Sequence, residues 1–342
     1  MKNRIIIGFL ILAMIIGCIT GCGNKEKPNV TYTYEKVDGG VKITTWENDY
    51  NGDDRHIVFP EKVKGKKVIS IAGGTYGGVR ERSKYNDNLY YWEDIHMGVD
   101  IPNSVTEIGH YAFMNCPFVS VYIPEGVTKI GDCAFFLCAS LESIELPKNV
   151  TEIGVSAFRS CFNLEKIEIP NGVKKIESGT FADCYSLNAV ELPDVLTEIG
   201  ERAFQNCYHL TGVEIPNVKK IGKGAFSECT SLRSVTIPGS VQTIEEETFK
   251  GCVNLERVEI FDGVKKIDKS AFSGCDNLKK ITLPDSVKEI DEHAFSYSKD
   301  LIFEVHEGSY ADRWLSDRNL YKNRIRYIFY EGIFGSFIDG GE

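Results

Sequence analysis

Ser140-Leu141-Glu142-Ser143-Ile144-Glu145-Leu146-Pro147-Lys148-Asn149-Val150-Thr151-Glu152-Ile153-Gly154-Val155-Ser156-Ala157-Phe158-Arg159-Ser160-Cys161 is one unit of a repeat, and its reading decides the fold. The next unit begins with Leu164 and ends at Cys184. Phenylalanine returns at intervals of 22 or 23 residues, at Phe113, Phe135, Phe158, Phe181, Phe204, Phe226, Phe249, Phe272 and Phe295. Three residues after the first eight stand Cys116, Cys138, Cys161, Cys184, Cys207, Cys229, Cys252 and Cys275, and the ninth slot holds Ser298. Self-similarity at a fixed period signals a stacked-repeat architecture. Leu141, Ile144 and Leu146 are expected to point inward from a short strand, which Pro147 stops by removing a donor. Val150 and Ile153 point inward from a second extended piece, and Gly154 permits the corner. Ala157, Phe158 and Cys161 fill the core from a helical turn. No unit can bury these side chains alone. Nine rungs stacked about 4.8 Å apart give one continuous core, on the order of 40 Å long.

The period and the L-x-x-I-x-L strand match leucine-rich repeats. The proline closing the strand and the I-G-x-x-A-F-x-x-C that follows resemble the BspA-type leucine-rich-repeat family of bacterial surface proteins. The resemblance is strong over residues 100–300. It implies a repeat solenoid of the leucine-rich-repeat type, β-rich with short helical turns, with about nine repeats and a cap at each end. It also implies surface attachment and the binding of a protein or glycan ligand, without naming that ligand. A structural, envelope-associated protein contacting other components of its own cell is the alternative.

The first residues read as a targeting segment. Lys2 and Arg4 form a positive start, and Ile5 to Ile16 is an uncharged apolar run. That run is shorter than the roughly 20 residues needed to span a bilayer. Ile19-Thr20-Gly21-Cys22 resembles the bacterial lipobox, which implies that Cys22 is lipidated and becomes the mature N-terminus. The chain accordingly divides into a lipoprotein signal peptide (1–21), a lipidated tether (22–30), an N-terminal cap with a degenerate repeat (31–100), the solenoid (101–300) and a C-terminal cap (301–342). The expected location is outside the cell membrane, held to it by the lipid.

In a stack, one slot repeated through the sequence becomes one row in space. The slot before the isoleucine of the second piece reads Glu107, Lys129, Glu152, Lys175, Glu198, Lys220, Thr243, Lys266, Glu289. Its alternating sign suits cross-rung ion pairs that fix register, each contributing about 0–1 kcal/mol when exposed. The middle slot of the first strand reads Tyr122, Glu145, Glu168, Glu191, Glu214, Thr236, Glu259, Thr282, with no opposite charge in its own row. The leucine-rich-repeat resemblance implies that this strand lines the ligand-docking face. The row is either an acidic stripe for a cationic or polyhydroxylated partner, or a solvated row that discourages aggregation. The cysteines project in parallel from a buried slot, so free thiols acting as small hydrophobes fit better than disulfides. Cys133 falls outside that ladder and has no assigned role.

From Ile71 to Ile101 is 30 residues, whereas Ile108 to Ile123 is 15, so an insertion replaces one turn. It carries Tyr76, Tyr85, Tyr90, Tyr91 and Trp92, aromatics that either contact ligand or cap the open end. Before it, Tyr32–Tyr34 and Val41–Trp46 alternate like strands around the turn Gly39-Gly40. Near the other end, Ser309 and Asp312 read as a capping box for a helix with Tyr310, Ala311, Trp314 and Leu315 on its apolar side. Tyr321 to Tyr330 alternates like a strand. Phe261 takes the slot of the strand-closing proline, where it either serves as an exposed contact at the rim or packs against an adjacent loop, the second being the simpler expectation.

Composition narrows the function. With 42% hydrophobic and 26% charged residues the chain can bury a core and is not disordered. A net charge of −10 without a basic cluster argues against nucleic acid. The six histidines have no metal-ligand spacing, and no nucleophile elbow, H-E-x-x-H or phosphate-cradling loop is present. Asp49-Tyr50-Asn51-Gly52-Asp53 opens like a calcium loop, but Asp54 and Pro60 stand where glycine and glutamate are required. No cofactor, metal or catalytic residue is expected. The candidate ligand-binding residues are Tyr122, Glu145, Glu168, Glu191, Glu214 and Glu259, together with Tyr90, Tyr91 and Trp92.

Overall fold

The computed structural model describes residues 30–48, 56–76, 97–298, 300–318 and 324–328. Over them the chain winds about eleven coils of a three-sided solenoid with little helix. The first side is a row of short parallel strands, among them Ser120–Tyr122, Ser143–Glu145, Lys166–Glu168, Ala189–Glu191, Ser234–Ile237, Arg257–Ile260 and Lys280–Thr282. Units pair in register, with Ile144 beside Val121, Val190 beside Ile167 and Val258 beside Val235. Strand side chains alternate between faces. The central residue of each triplet therefore enters the core while its flanks face solvent.

The proline after the strand opens the corner. The amides of Val127, Val150, Val173 and Leu196 donate to the carbonyls of Pro124, Pro147, Pro170 and Pro193 at 3.0 Å. The chain then enters the second side, a row of two-residue strands such as Lys129–Ile130, Glu152–Ile153, Lys175–Ile176 and Glu198–Ile199. One unit has only Asn217 between Pro216 and Val218. There the Val218 amide reaches back to Pro216 at 2.6 Å, and Lys220 still pairs with Glu198. The corner absorbs the deletion, and the first side of that unit is reduced to a bridge between Gly212 and Ser234.

The segment expected as a helical turn takes a different form. The amides of Ala112, Met114 and Cys116 close turns on Gly109, Tyr111 and Phe113 within their own rung. Those of Tyr111, Phe113 and Asn115 cross to the carbonyls of Asp132, Ala134 and Phe136 in the next rung. An α-helix would direct its amides along itself; here every second amide ties one coil to another. The alternation puts residues such as Ser156, Ser160 and Asn206 at positive φ, and glycine fills equivalent positions at Gly179, Gly224, Gly251 and Gly274.

Inside, the phenylalanines form one column. Phe135 and Phe158 stack at 5.3 Å with planes 2° apart, and the pattern runs on to Phe272 and Phe295 at 5.6 Å and 3°. All are buried, each contributing on the order of 2–3 kcal/mol through area removed from water. The ladder cysteines lie beside them as free thiols. From Cys138 onward each Sγ donates to the carbonyl of the phenylalanine one rung back, as in Cys138 to Phe113 at 3.1 Å and Cys207 to Phe181 at 3.3 Å, while Cys116, on the first rung, reaches the Met114 carbonyl at 3.9 Å. Ser298 repeats the bond with its hydroxyl, donating to Phe272 at 3.4 Å. The slot asks for a small donor, which cysteine and serine both supply.

Edge-on aromatics end the column. Trp46 and Phe59 meet Phe113 at one end, with the Trp46 indole N–H on the Ala112 carbonyl at 2.7 Å, and Phe303 stands at 82° to Phe295 at the other. Trp46 belongs to a hairpin of Thr31–Val37 and Gly40–Asn48, turned at Gly39 with φ of 82°. Its inner strand runs parallel to Lys66–Ile71, which runs parallel to Glu107–Ile108, so the hairpin covers the first coil of the second side. His56–Val58 pairs with Gly98–Asp100 as the degenerate unit. At the far end Ile302–Val305 and Ile325–Tyr327 extend the first side. Between them lies the helix Tyr310–Ser316. The Ser309 hydroxyl accepts from the Asp312 amide at 3.1 Å, and Ala311, Trp314 and Leu315 are buried.

Candidate binding face

The outward residues of the first side make the candidate site. In a parallel, in-register stack the middle slots line up, and Tyr122 lies opposite Glu145, Glu168 opposite Glu191, and Thr236 opposite Glu259. Tyr122 is 64% exposed, and Glu145, Glu168, Glu191, Glu214 and Glu259 are all exposed. The row read from the sequence is therefore one continuous feature of one side. Its two halves differ in charge balance. At the C-terminal half Arg257 lies 4.0 Å from Glu259, and Glu304, buried, takes Lys280 at 3.2 Å, Arg326 at 3.5 Å and the Thr282 hydroxyl at 2.9 Å. Among the described residues no ion pair of this side reaches Glu145, Glu168, Glu191 or Glu214. Four carboxylates one rung apart thus face water without an ion pair among the described residues, Lys166 sharing the outward face of its strand with Glu168.

The second side shows the opposite design. Lys129 meets Glu152 at 3.1 Å, Lys266 meets Glu289 at 2.9 Å, and Glu198 sits between Lys220 at 3.4 Å and Lys175 at 3.8 Å. The Glu152 carboxylate raises the Lys129 ammonium above its ordinary value, as Glu289 does for Lys266 and Glu177, foremost, for Lys175. Alternating signs consume one another there, which leaves the first side as the face with charge to offer.

The thiol ladder offers no chemistry. Burial pushes Cys138 and Cys229 up to about 12, and raises the other ladder thiols in the same direction. A neutral, enclosed thiol is neither nucleophile nor metal ligand. Among the described residues no group of three or more His, Cys, Asp or Glu could hold a metal ion.

Sequence reasoning missed a second row. In the slot after the ladder cysteine, three successive rungs carry Phe162, Tyr185 and Tyr208, whose rings stack at 4.9 and 5.0 Å. The signal was present, three aromatics at 23-residue spacing, but the inner Phe and Cys rows overshadowed it. Phe261 stands 49% exposed, with its Cβ beside the turn at Gly239 of the neighbouring rung. Cys22, Tyr90, Tyr91, Trp92 and the Asp49–Asp53 stretch lie outside the described residues.

A parallel solenoid of 22–23-residue coils, with a proline-closed first strand and a buried Phe column, defines a protein of the leucine-rich-repeat class. The chain belongs to the BspA-type leucine-rich-repeat family, whose model, described as BspA type Leucine rich repeat region, matches residues 84–211 and 197–306. Among solved structures it is similar to a leucine rich cell surface protein from Faecalibacterium prausnitzii A2-165, with 26% identity over 90% of this chain and 96% of that one and a TM-score of 0.49. It is also similar to the T. pallidum Leucine Rich Repeat protein, with 26% identity over 72% and 87% and a TM-score of 0.42. A leucine-rich repeat protein from Bacteroides ovatus ATCC 8483 shows 23% identity over 90% and 100% and a TM-score of 0.47. No curated protein matches the chain.

Proposed function

We propose that this protein is a surface-displayed lipoprotein that binds a protein or glycan ligand on the first side of its solenoid, in the manner of an adhesin or receptor. The observation that carries the reading is the contrast between the two strand faces. One neutralises its charges internally; the other presents Glu145, Glu168, Glu191 and Glu214 with no ion-pair partner among the described residues. Uncompensated charge on a rigid scaffold steers a complementary partner and fixes its register. BspA-type leucine-rich-repeat proteins are cell-surface proteins, and no helix among the described residues is long and apolar enough to cross a membrane. Lipidation at Cys22 supplies the anchor in this reading; two acyl chains suffice for stable attachment.

The test is an array of extracellular-matrix proteins and glycans presented with the full-length chain in mild detergent. Beside it runs a variant combining Glu168→Gln, Glu191→Gln and Glu214→Gln. A second variant combines Glu152→Gln and Glu289→Gln on the opposite strand face. Saturable binding lost only in the first variant is the expected result. Binding that survives in the first and fails in the second would place the site elsewhere, and silence from the folded wild-type chain would turn the reading toward a partner in its own envelope. Metabolic labelling with palmitate, lost on Cys22→Ala, checks the anchor.

A further inference from the structure

Phe162, Tyr185 and Tyr208 form a short outer column, distinct from the inner phenylalanines. Their planes lie within 11° and 17° of one another, Phe162 and Tyr185 are half-buried, and Tyr208 is 38% exposed. The fold does not demand aromatics there, since the same slot holds Ala139 on the rung before and Thr230 and Val253 on the rungs after. A stripe of ring surface kept on the outside of a soluble body marks an interaction site more often than a packing need. The column also ends with the charge it accompanies. Its three rungs carry Glu168, Glu191 and Glu214, carboxylates without an ion-pair partner among the described residues. Between the two rows the floor is low on the last two rungs, where Ala189 and Gly212 are exposed and a Cβ at Gly212 would meet nothing within 4 Å; on the first rung Lys166 stands in that slot, which centres the site on Tyr185, Tyr208, Glu191 and Glu214.

We infer that these three rungs dock a basic segment of a partner polypeptide, its lysine or arginine stems lying along the ring edges and its cationic heads reaching the glutamates. The inference rests on the reading of the first side as the docking face and names the partner's chemistry. Two features select a basic peptide over a sugar. Sugars stack on the flat faces of aromatic rings, and here the rings turn their faces to one another, leaving edges along the column. The three carboxylates in turn call for positive charge, which long amphipathic side chains bring on an apolar stem that suits a ring edge. The occupant is a chain crossing the rungs along the solenoid, so that successive residues meet successive rungs.

The experiment uses a fluorescein-labelled peptide of five Lys-Ala repeats and the full-length chain in mild detergent, followed by fluorescence anisotropy at low and physiological salt. Saturable binding is expected, weaker at higher salt. It should weaken by about tenfold or more in Tyr185→Ser/Tyr208→Ser and in Glu191→Gln/Glu214→Gln, as hot-spot truncations do, and stay unchanged in Glu152→Gln. Thr230→Tyr, which lengthens the column by one rung and gives up only the exposed bond of the Thr230 hydroxyl to the Tyr208 carbonyl at 3.3 Å, should tighten binding; it also guards against a serine variant that fails to fold. Binding that depends on the glutamates and ignores both the tyrosine and Thr230 variants overturns the aromatic column while leaving the first-side reading intact. No binding of the peptide by a folded chain that captures neutral glycans overturns the basic partner, and no binding of either kind overturns both readings.

Discussion

At the scale of single residues, two kinds of cysteine sit in one turn and should behave oppositely. Cys207 is buried and donates to the Phe181 carbonyl, a role Ser298 fills elsewhere with a hydroxyl. Cys207→Ser keeps a donor; Cys207→Ala leaves a small void and takes from the Phe181 carbonyl one of its two donors, the Cys184 amide remaining. The alanine variant should lose about 1–3 kcal/mol in urea denaturation, and the serine variant less. Cys133 points away from the ladder at φ of 53°, a conformation that glycine adopts freely and other residues only at a cost. Cys133→Gly should be neutral or stabilising by up to about 1 kcal/mol, and a clear loss of stability would show that its side chain matters. The sequence separated these two cysteines by spacing alone, yet it could not show why thiols were used. That reason lies in a carbonyl one rung back, at a sequence separation of about 26 residues.

At the scale of elements, the strand rows were legible because burial imposes a period on them, whereas the turn was not. Ile144, Ile167 and Val190 announce an inward slot, and Lys129 above Glu152 announces parallel stacking in register. Ala157, Phe158 and Cys161 have the spacing of an apolar helix face, so a helical turn was the natural expectation. What decides otherwise is the backbone, where alternate amides bind the next rung and put Ser156 and Ser160 at positive φ, and side-chain pattern carries little trace of that. Two predictions belong here. Phe158→Ala, in the middle of the stacked column, should cost about 3–5 kcal/mol, read as a fall in the urea midpoint. Glu198→Gln removes the anion between Lys175 and Lys220, and should cost under about 1 kcal/mol at low salt, with the difference vanishing in 1 M NaCl. A salt-independent loss would mean that packing, not charge, holds that row.

Across the whole molecule, the repetition that builds the core also sets its weakness. Burial holds eight ladder thiols above their ordinary value in the folded chain, two of them at about 12, while an unfolded thiol titrates near 8.5. Below that value both states hold the proton and stability is unaffected. Above it the unfolded chain loses protons that the folded chain keeps, so stability falls as pH rises toward the folded values. Each thiol contributes a slope of roughly 1.4 kcal/mol per pH unit. Thermal melts should therefore drop steeply above about pH 9, and a variant with several ladder cysteines replaced by serine should lose much of that dependence. The same repetition gives the molecule distinct sides, and the central claim is that binding belongs to one of them. The most direct test uses two positions on one rung, Thr236 on the first side and Thr243 on the second. In a Cys133→Ser background, Thr236→Cys or Thr243→Cys is coupled to a bulky polyethylene glycol, and capture of the ligand found on the matrix array is measured. The block at Thr236 should abolish capture while the block at Thr243 leaves it intact; the reverse outcome would put binding on the second side.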